Sequence, residues 1–95
     1  DYIKPEFCSN QLPSYHLYVV RTQKRKALMK YMTQRGITLG IHYHPANHDN
    51  GVISSKTADL PITSLIANEV ISLPLYPELD FRSQDRVIKL MNEFK

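Results

Sequence analysis

The chain has 95 residues, 42% apolar and 22% charged, and its 12 basic and 9 acidic side chains leave a formal charge of +3. That balance excludes a disordered tract, in which low hydrophobicity and high net charge leave too little apolar surface to bury. The length sets one small domain with a modest core.

The first residue is Asp1 rather than methionine, which suggests an excised piece or a processed product. Cys8 is the single cysteine, so no internal disulfide and no cluster of zinc thiolates is possible. A reducing compartment is compatible with this. No signal-peptide pattern opens the chain, and no apolar run approaches the roughly 20 residues that span a bilayer. A soluble, cytoplasmic protein is the expectation. Arg21, Lys24, Arg25, Lys26 and Lys30 form the densest basic stretch. It reads first as a solvated helix face, with a phosphorylated ligand or nucleic acid as alternatives.

In chain order, residues 1–14 hold Pro5 and Pro13 and read as an extended lead-in or linker, leaving 15–95 as the domain. Residues 15–21, YHLYVVR, are aromatic and β-branched and predict a strand. His16, inside that strand, is expected to be a satisfied, semi-buried histidine. Thr22 can cap the next helix, whose apolar stripe is Ala27, Leu28, Tyr31 and Met32. Gly36 is placed to end it after about 13 residues by taking a left-handed conformation. Residues 37–43, ITLGIHY, predict a second strand, in which Gly40 marks a bulge or a close backbone approach. The two strands are either neighbours in a crossover unit or separated within the sheet.

Residues 44–59 form a long loop with a turn signal at Asn50-Gly51. Unstructured loops longer than about 12–15 residues are uncommon and often functional. Pro61 opens a short helix over 61–68. Residues 69–75, EVISLPL, predict a third strand that Pro74 ends. Asp80 or Ser83 caps a last helix over 82–94, striped by Val87, Leu90, Met91 and Phe94. The fold class is a two-layer α/β domain of about three strands, two long helices and one short one.

The chemistry-bearing residues gather at 42–49, HYHPANHD. Three imidazoles and a carboxylate are ligand types that zinc accepts, but this spacing matches no zinc signature. A polar ligand-binding or interface loop, and ordinary turn-stabilising histidines, are the other readings. Tyr43 alternates away from His42 and His44 in an extended strand, so it is expected to pack, with its hydroxyl at the edge. His48, deep in the loop, is the better candidate to offer a hydrogen bond to a ligand. No nucleophile elbow or phosphate-binding glycine motif occurs, and Ser54, Ser55 and Ser72 have no partner by spacing. No catalytic residue and no metal ligand is assigned. Tyr15 and Tyr18 are opposite in phase and lack a basic strand motif, which argues against base stacking.

The order SYHLYVVRT, Arg25 and Leu28, RGITLGIHYHPANH, the LP pair at 60–61 and EVISLPLYPEL resembles the C-terminal small domain of the DegT/DnrJ/EryC1/StrS aminotransferases. The resemblance runs over about 15–93. It implies a fold-type I enzyme that uses pyridoxal phosphate to move an amino group from glutamate to a keto sugar, commonly nucleotide-linked. It implies that an upstream large domain carries the cofactor lysine and phosphate contacts, and that the whole enzyme pairs as a homodimer. This chain matches none of those cofactor motifs, so no cofactor-binding residue is assigned, Lys4 and Lys56 included. No nucleic acid or membrane partner is implied.

His42 and Tyr43 match the family's His-Tyr pair, and His48 matches its loop histidine. The resemblance therefore implies substrate binding by His48, then His44 and Asn47, with Tyr43 supporting the loop. Arg25 matches a family arginine, expected in a structural or interdomain ion pair. The chain departs where members commonly carry prolines, holding His44 and Ala46 with Pro45 between. It also departs after the LP pair, where Ile62, Thr63 and Ser64 replace a common glutamate. A stand-alone α/β binding or regulatory domain using the same loop is the alternative function.

Overall fold

A computed structural model of the chain describes residues 2–14, 16–49, 51 and 59–95. Strand β1 (Tyr18–Arg21) leads to helix α1 (Arg25–Thr33) and a short 3-10 turn (Asn47–Asp49). Helix α2 (Pro61–Glu69), strand β2 (Val70–Leu73) and helix α3 (Phe81–Glu93) follow. The architecture is the expected two-layer α/β domain, built on a two-stranded antiparallel sheet.

The sheet pairs Tyr18 with Leu73 and Arg21 with Val70. Ile3 bridges Arg21 on the free side of β1, and Gly40 bridges Ser72 on the free side of β2. Segment 37–43 therefore lies across β2 from β1, so the two predicted strands are separated rather than adjacent. Only Gly40 of that segment forms a bridge among the described residues, and the chain bends at residue 42. A Cβ on Gly40 would lie 2.9 Å from Cε1 of His42. The group that comes close to Gly40 is thus an imidazole side chain, which a Cβ there would have to displace.

Helix boundaries follow local chemistry. The Thr22 hydroxyl accepts the Lys24 amide at 3.1 Å, shaping a turn that delays α1 until Arg25. At the other end the Ile37 amide reaches the Met32 carbonyl at 2.9 Å and the Gly36 amide reaches Thr33 at 3.1 Å. Gly36 has φ +79. This pair of bonds across a left-handed glycine closes the helix, which at nine residues is shorter than expected. Pro61 begins α2 where its missing amide costs nothing. Asp80 caps α3 by accepting the Ser83 amide at 2.6 Å. That backbone bond, with the Ser83 hydroxyl second, lowers the Asp80 carboxyl below its ordinary 3.8.

The core gathers Val20 from β1, Leu28 and Met32 from α1, Ile71 from β2, Val87 and Met91 from α3, and Ile37 and Leu39 between. Leu28, Met32 and Ile71 are fully buried. The two helical stripes thus meet over one face of the sheet through Leu28, Met32, Val87 and Met91, with Tyr31, Leu90 and Phe94 half-buried beside them, whereas Ala27 of the expected stripe is exposed. Val70 and Ser72 point to the other face by strand alternation and are buried as well. The Tyr2 hydroxyl donates to the Met91 carbonyl at 2.7 Å, tying the lead-in to α3. Burial, and then Tyr31, raise that phenol above its ordinary 10.0.

Two expectations for single residues are corrected. His16 is exposed, because the ladder begins only at Tyr18 and leaves residue 16 without a neighbouring strand. Tyr43 does not pack: it is 76% exposed. The segment leaves the sheet before reaching it, and its ring makes an edge-on contact with His42. Tyr15, and half of the predicted 44–59 loop including Asn50, Ser54, Ser55 and Lys56, lie outside the described residues.

Candidate functional site

Residues 42–49 leave the sheet at Gly40 and lie along α2. Contacts to β2 and α2 hold them. The His42 Nδ1 is 2.9 Å from the Ser72 hydroxyl of β2. The His44 Nδ1 is 3.2 Å from the Ala67 carbonyl near the end of α2. The His48 Nε2 is 2.8 Å from the Ser64 hydroxyl in the first turns of α2. That hydroxyl donates in turn to Oδ2 of Asp49 at 2.8 Å. The 3-10 turn closes with the Asp49 amide on the Ala46 carbonyl, 2.8 Å away.

The four proposed substrate residues therefore fall into two pairs. His44 and His48 each place one ring nitrogen on α2. Asn47 and Tyr43 are exposed on the outer side of the same short segment. Both positions of departure from the family pattern are used: His44 contacts Ala67, and Ala46 is buried at 7% exposure. Ser64, which stands after the LP pair, is one of the loop's anchors.

Behind the loop, Arg25 joins α1 to the end of α2. Its Nη1 donates to the Ala67 carbonyl at 2.6 Å and to the Val70 carbonyl at 3.2 Å. Arg25 is buried at 8% exposure. Among the described residues Arg25 thus meets carbonyls rather than a carboxylate. A cation at a helix C-terminus meets both its terminal carbonyls and the negative end of its dipole. The ion pair forms instead between Arg21 and Glu69, with Nη2 2.7 Å and Nε 3.1 Å from Oε2. Sequence reading missed this pair, and nothing in the spacing of 48 residues would have revealed it. It borders an open groove of about 810 Å³ that Tyr2, Ile3, Lys24, Leu65 and Phe94 also line.

Pyridoxal phosphate needs a lysine amine in an enclosed pocket and donors for its phosphate. The described lysines, Lys4, Lys24, Lys26, Lys30, Lys89 and Lys95, are all exposed. The described residues do not fit the group. Among them, no three His, Cys, Asp or Glu side chains converge as metal ligands. No helix among them is long and apolar enough to cross a membrane.

The arrangement is that of a polar surface loop braced from behind. The pattern of the DegT/DnrJ/EryC1/StrS aminotransferase family matches residues 3–92, and the chain belongs to that family. It is similar to the dTDP-3-amino-3,6-dideoxy-alpha-D-galactopyranose transaminase of Aneurinibacillus thermoaerophilus, with 30% identity over 91 residues, 95% of this chain and 25% of that protein. It is also 30% identical over 95 residues to a pleiotropic regulatory protein of Geobacillus stearothermophilus, covering 97% and 26% respectively. Among solved structures it resembles S. venezuelae DesV in complex with a ketimine intermediate, with TM-score 0.89 and 29% identity. That likeness covers 97% of this chain and 26% of the other. The chain thus spans about a quarter of the length of the relatives it matches.

Proposed function

We propose that this chain is the C-terminal small domain of a pyridoxal-phosphate-dependent enzyme that transfers an amino group from glutamate to a nucleotide-linked keto sugar. The observation that carries the reading is the agreement, over nearly the whole chain, with a relative named as a dTDP-sugar transaminase. In this reading an upstream large domain supplies the cofactor site, the whole enzyme pairs as a homodimer in the cytoplasm, and this chain supplies a substrate-facing loop.

The loop suits that task chemically. A sugar presents hydroxyls that both donate and accept, so it is oriented best by side chains with mixed capability. The Asn47 amide and Tyr43 hydroxyl stand on the exposed side. His44 and His48 hold the segment to α2 and set its distance from the ligand. A loop braced at several points loses less freedom on binding than a free one, which favours affinity.

The test is to express the whole gene product and supply pyridoxal phosphate, glutamate and a panel of nucleotide-linked keto sugars. Mass spectrometry should find an amino sugar. Absence of transfer across the panel, with the protein folded, would sink the reading. It would favour the alternative in which the same loop binds a ligand without chemistry. For the isolated chain, no stoichiometric covalent adduct with pyridoxal phosphate is expected. An adduct at one lysine, seen by absorbance and peptide mapping, would contradict the division of labour between domains.

A further inference from the structure

The hydrogen bonds around Ser64 carry more information than their number suggests. A serine hydroxyl has one proton. Here that proton goes to Oδ2 of Asp49 at 2.8 Å. The Ser64 oxygen can then meet Nε2 of His48, also at 2.8 Å, only as an acceptor. Nε2 must therefore carry a hydrogen. The distance of 3.3 Å from the same nitrogen to Oδ2 of Asp49 agrees, since a carboxylate accepts and does not donate. The side chain of His48 is 10% exposed while that of Asp49 is 47% exposed. The carboxylate thus faces solvent far more than the imidazole does.

We infer that Ser64, with Asp49, is a positioning residue that fixes both the place and the tautomer of His48. Nε2 is the ring nitrogen that donates toward α2. Ser64 sits on α2, and α2 is tied to α1 through Arg25. The loop turn at Asn47–Asp49 is therefore referenced to the rigid part of the domain rather than to its own backbone alone. In the sugar-aminotransferase reading, on which the functional part of this inference rests, the result is a loop whose polar groups stand at a set distance from the sugar. Ser64 touches neither cofactor nor substrate in this role. Its effect falls on the sugar half of the reaction and leaves the glutamate half alone.

The experiment uses the full-length enzyme with Ser64→Ala, Ser64→Thr and Asp49→Ala, the threonine variant keeping the hydroxyl. Loss of a bonded partner at a mostly buried group corresponds to about a tenfold rise in KM for the keto-sugar nucleotide. That rise is expected for S64A and, more weakly, for D49A. The rate of the glutamate half-reaction should stay unchanged, and S64T should restore most of the affinity. In parallel, side-chain nitrogen NMR of His48 should show the Nε2–H form in the wild type and a mixture of tautomers in S64A.

An identical His48 spectrum in wild type and S64A would overturn the inference. So would a fall in both half-reactions together, since that marks a general loss of structure. If the wild-type enzyme transfers no amino group to any sugar, the functional proposal fails. The NMR comparison still decides the anchoring.

Discussion

The domain contains two regions held by different physics. Leu28, Met32, Ile71, Val87 and Met91 meet through apolar contact, which has no preferred direction and is replaceable by side chains of similar volume. The 42–49 segment is held by hydrogen bonds to Ser72, Ala67 and Ser64, each with a donor and an acceptor at fixed positions. The first region sets whether the chain folds. The second sets where a few polar groups stand once it has. Substitutions should separate accordingly: in the first they lower stability, and in the second they move function at small cost in stability.

The sharpest test of the first half is Ile71→Ala. Ile71 is fully buried, and truncation of such a side chain costs about 2–5 kcal/mol by urea denaturation. Arg25 sits at the border of the two regions. Arg25→Ala removes the partner of two buried carbonyls and is expected to cost about 2–4 kcal/mol in the same assay. Because His44 shares the Ala67 carbonyl, the variant should also raise KM for the sugar, which a change confined to the core would not do. Gly40→Ala should displace the His42 ring, since the added Cβ would lie 2.9 Å from it. A loss of about 1–3 kcal/mol is expected, and a His42–Ser72 contact left intact in a crystal structure of the variant would refute the account of Gly40.

The smallest effect belongs to Asp80→Ala. The folded-state carboxyl is lowered, so its contribution is fully present above the ordinary value of 3.8 and is lost as pH falls through the lowered value. A drop of a few degrees in Tm is expected at pH 7, and none near the acid end of the range. Equal Tm differences at both pH values would show that the carboxylate charge is not what caps α3.

Most of the core was legible beforehand because a helical stripe needs only spacing. Leu28 with Met32, and Val87 with Met91, are four residues apart in sequence and meet in one cluster. Gly36 and Asp80 were legible because one residue type solves a local problem at a helix end. The sheet order was not. Whether 37–43 pairs with β1 or stands across β2 depends on contacts far apart in sequence, and β2 comes later in the chain. The packing expected for Tyr43 rested on strand alternation. Alternation stops where the chain stops being a strand, and that happened sooner than the run ITLGIHY suggested. At the site, the cluster of histidines was visible as composition, whereas Ser64 was not. Its part depends on α2 lying under the loop, and one serine among several carries no such mark.

Ser64 and Ala67 meet the loop from positions three residues apart on α2. Neighbours at that spacing lie on the same side of a helix. The helix therefore serves as a gauge with two marks, and the loop is cut to fit it. Adding one residue between the marks would turn one of them about 100° away from the other. Many sequence changes in α2 are tolerable on this view, Ile62 and Leu65 among them, but a change of its length between 64 and 67 is not.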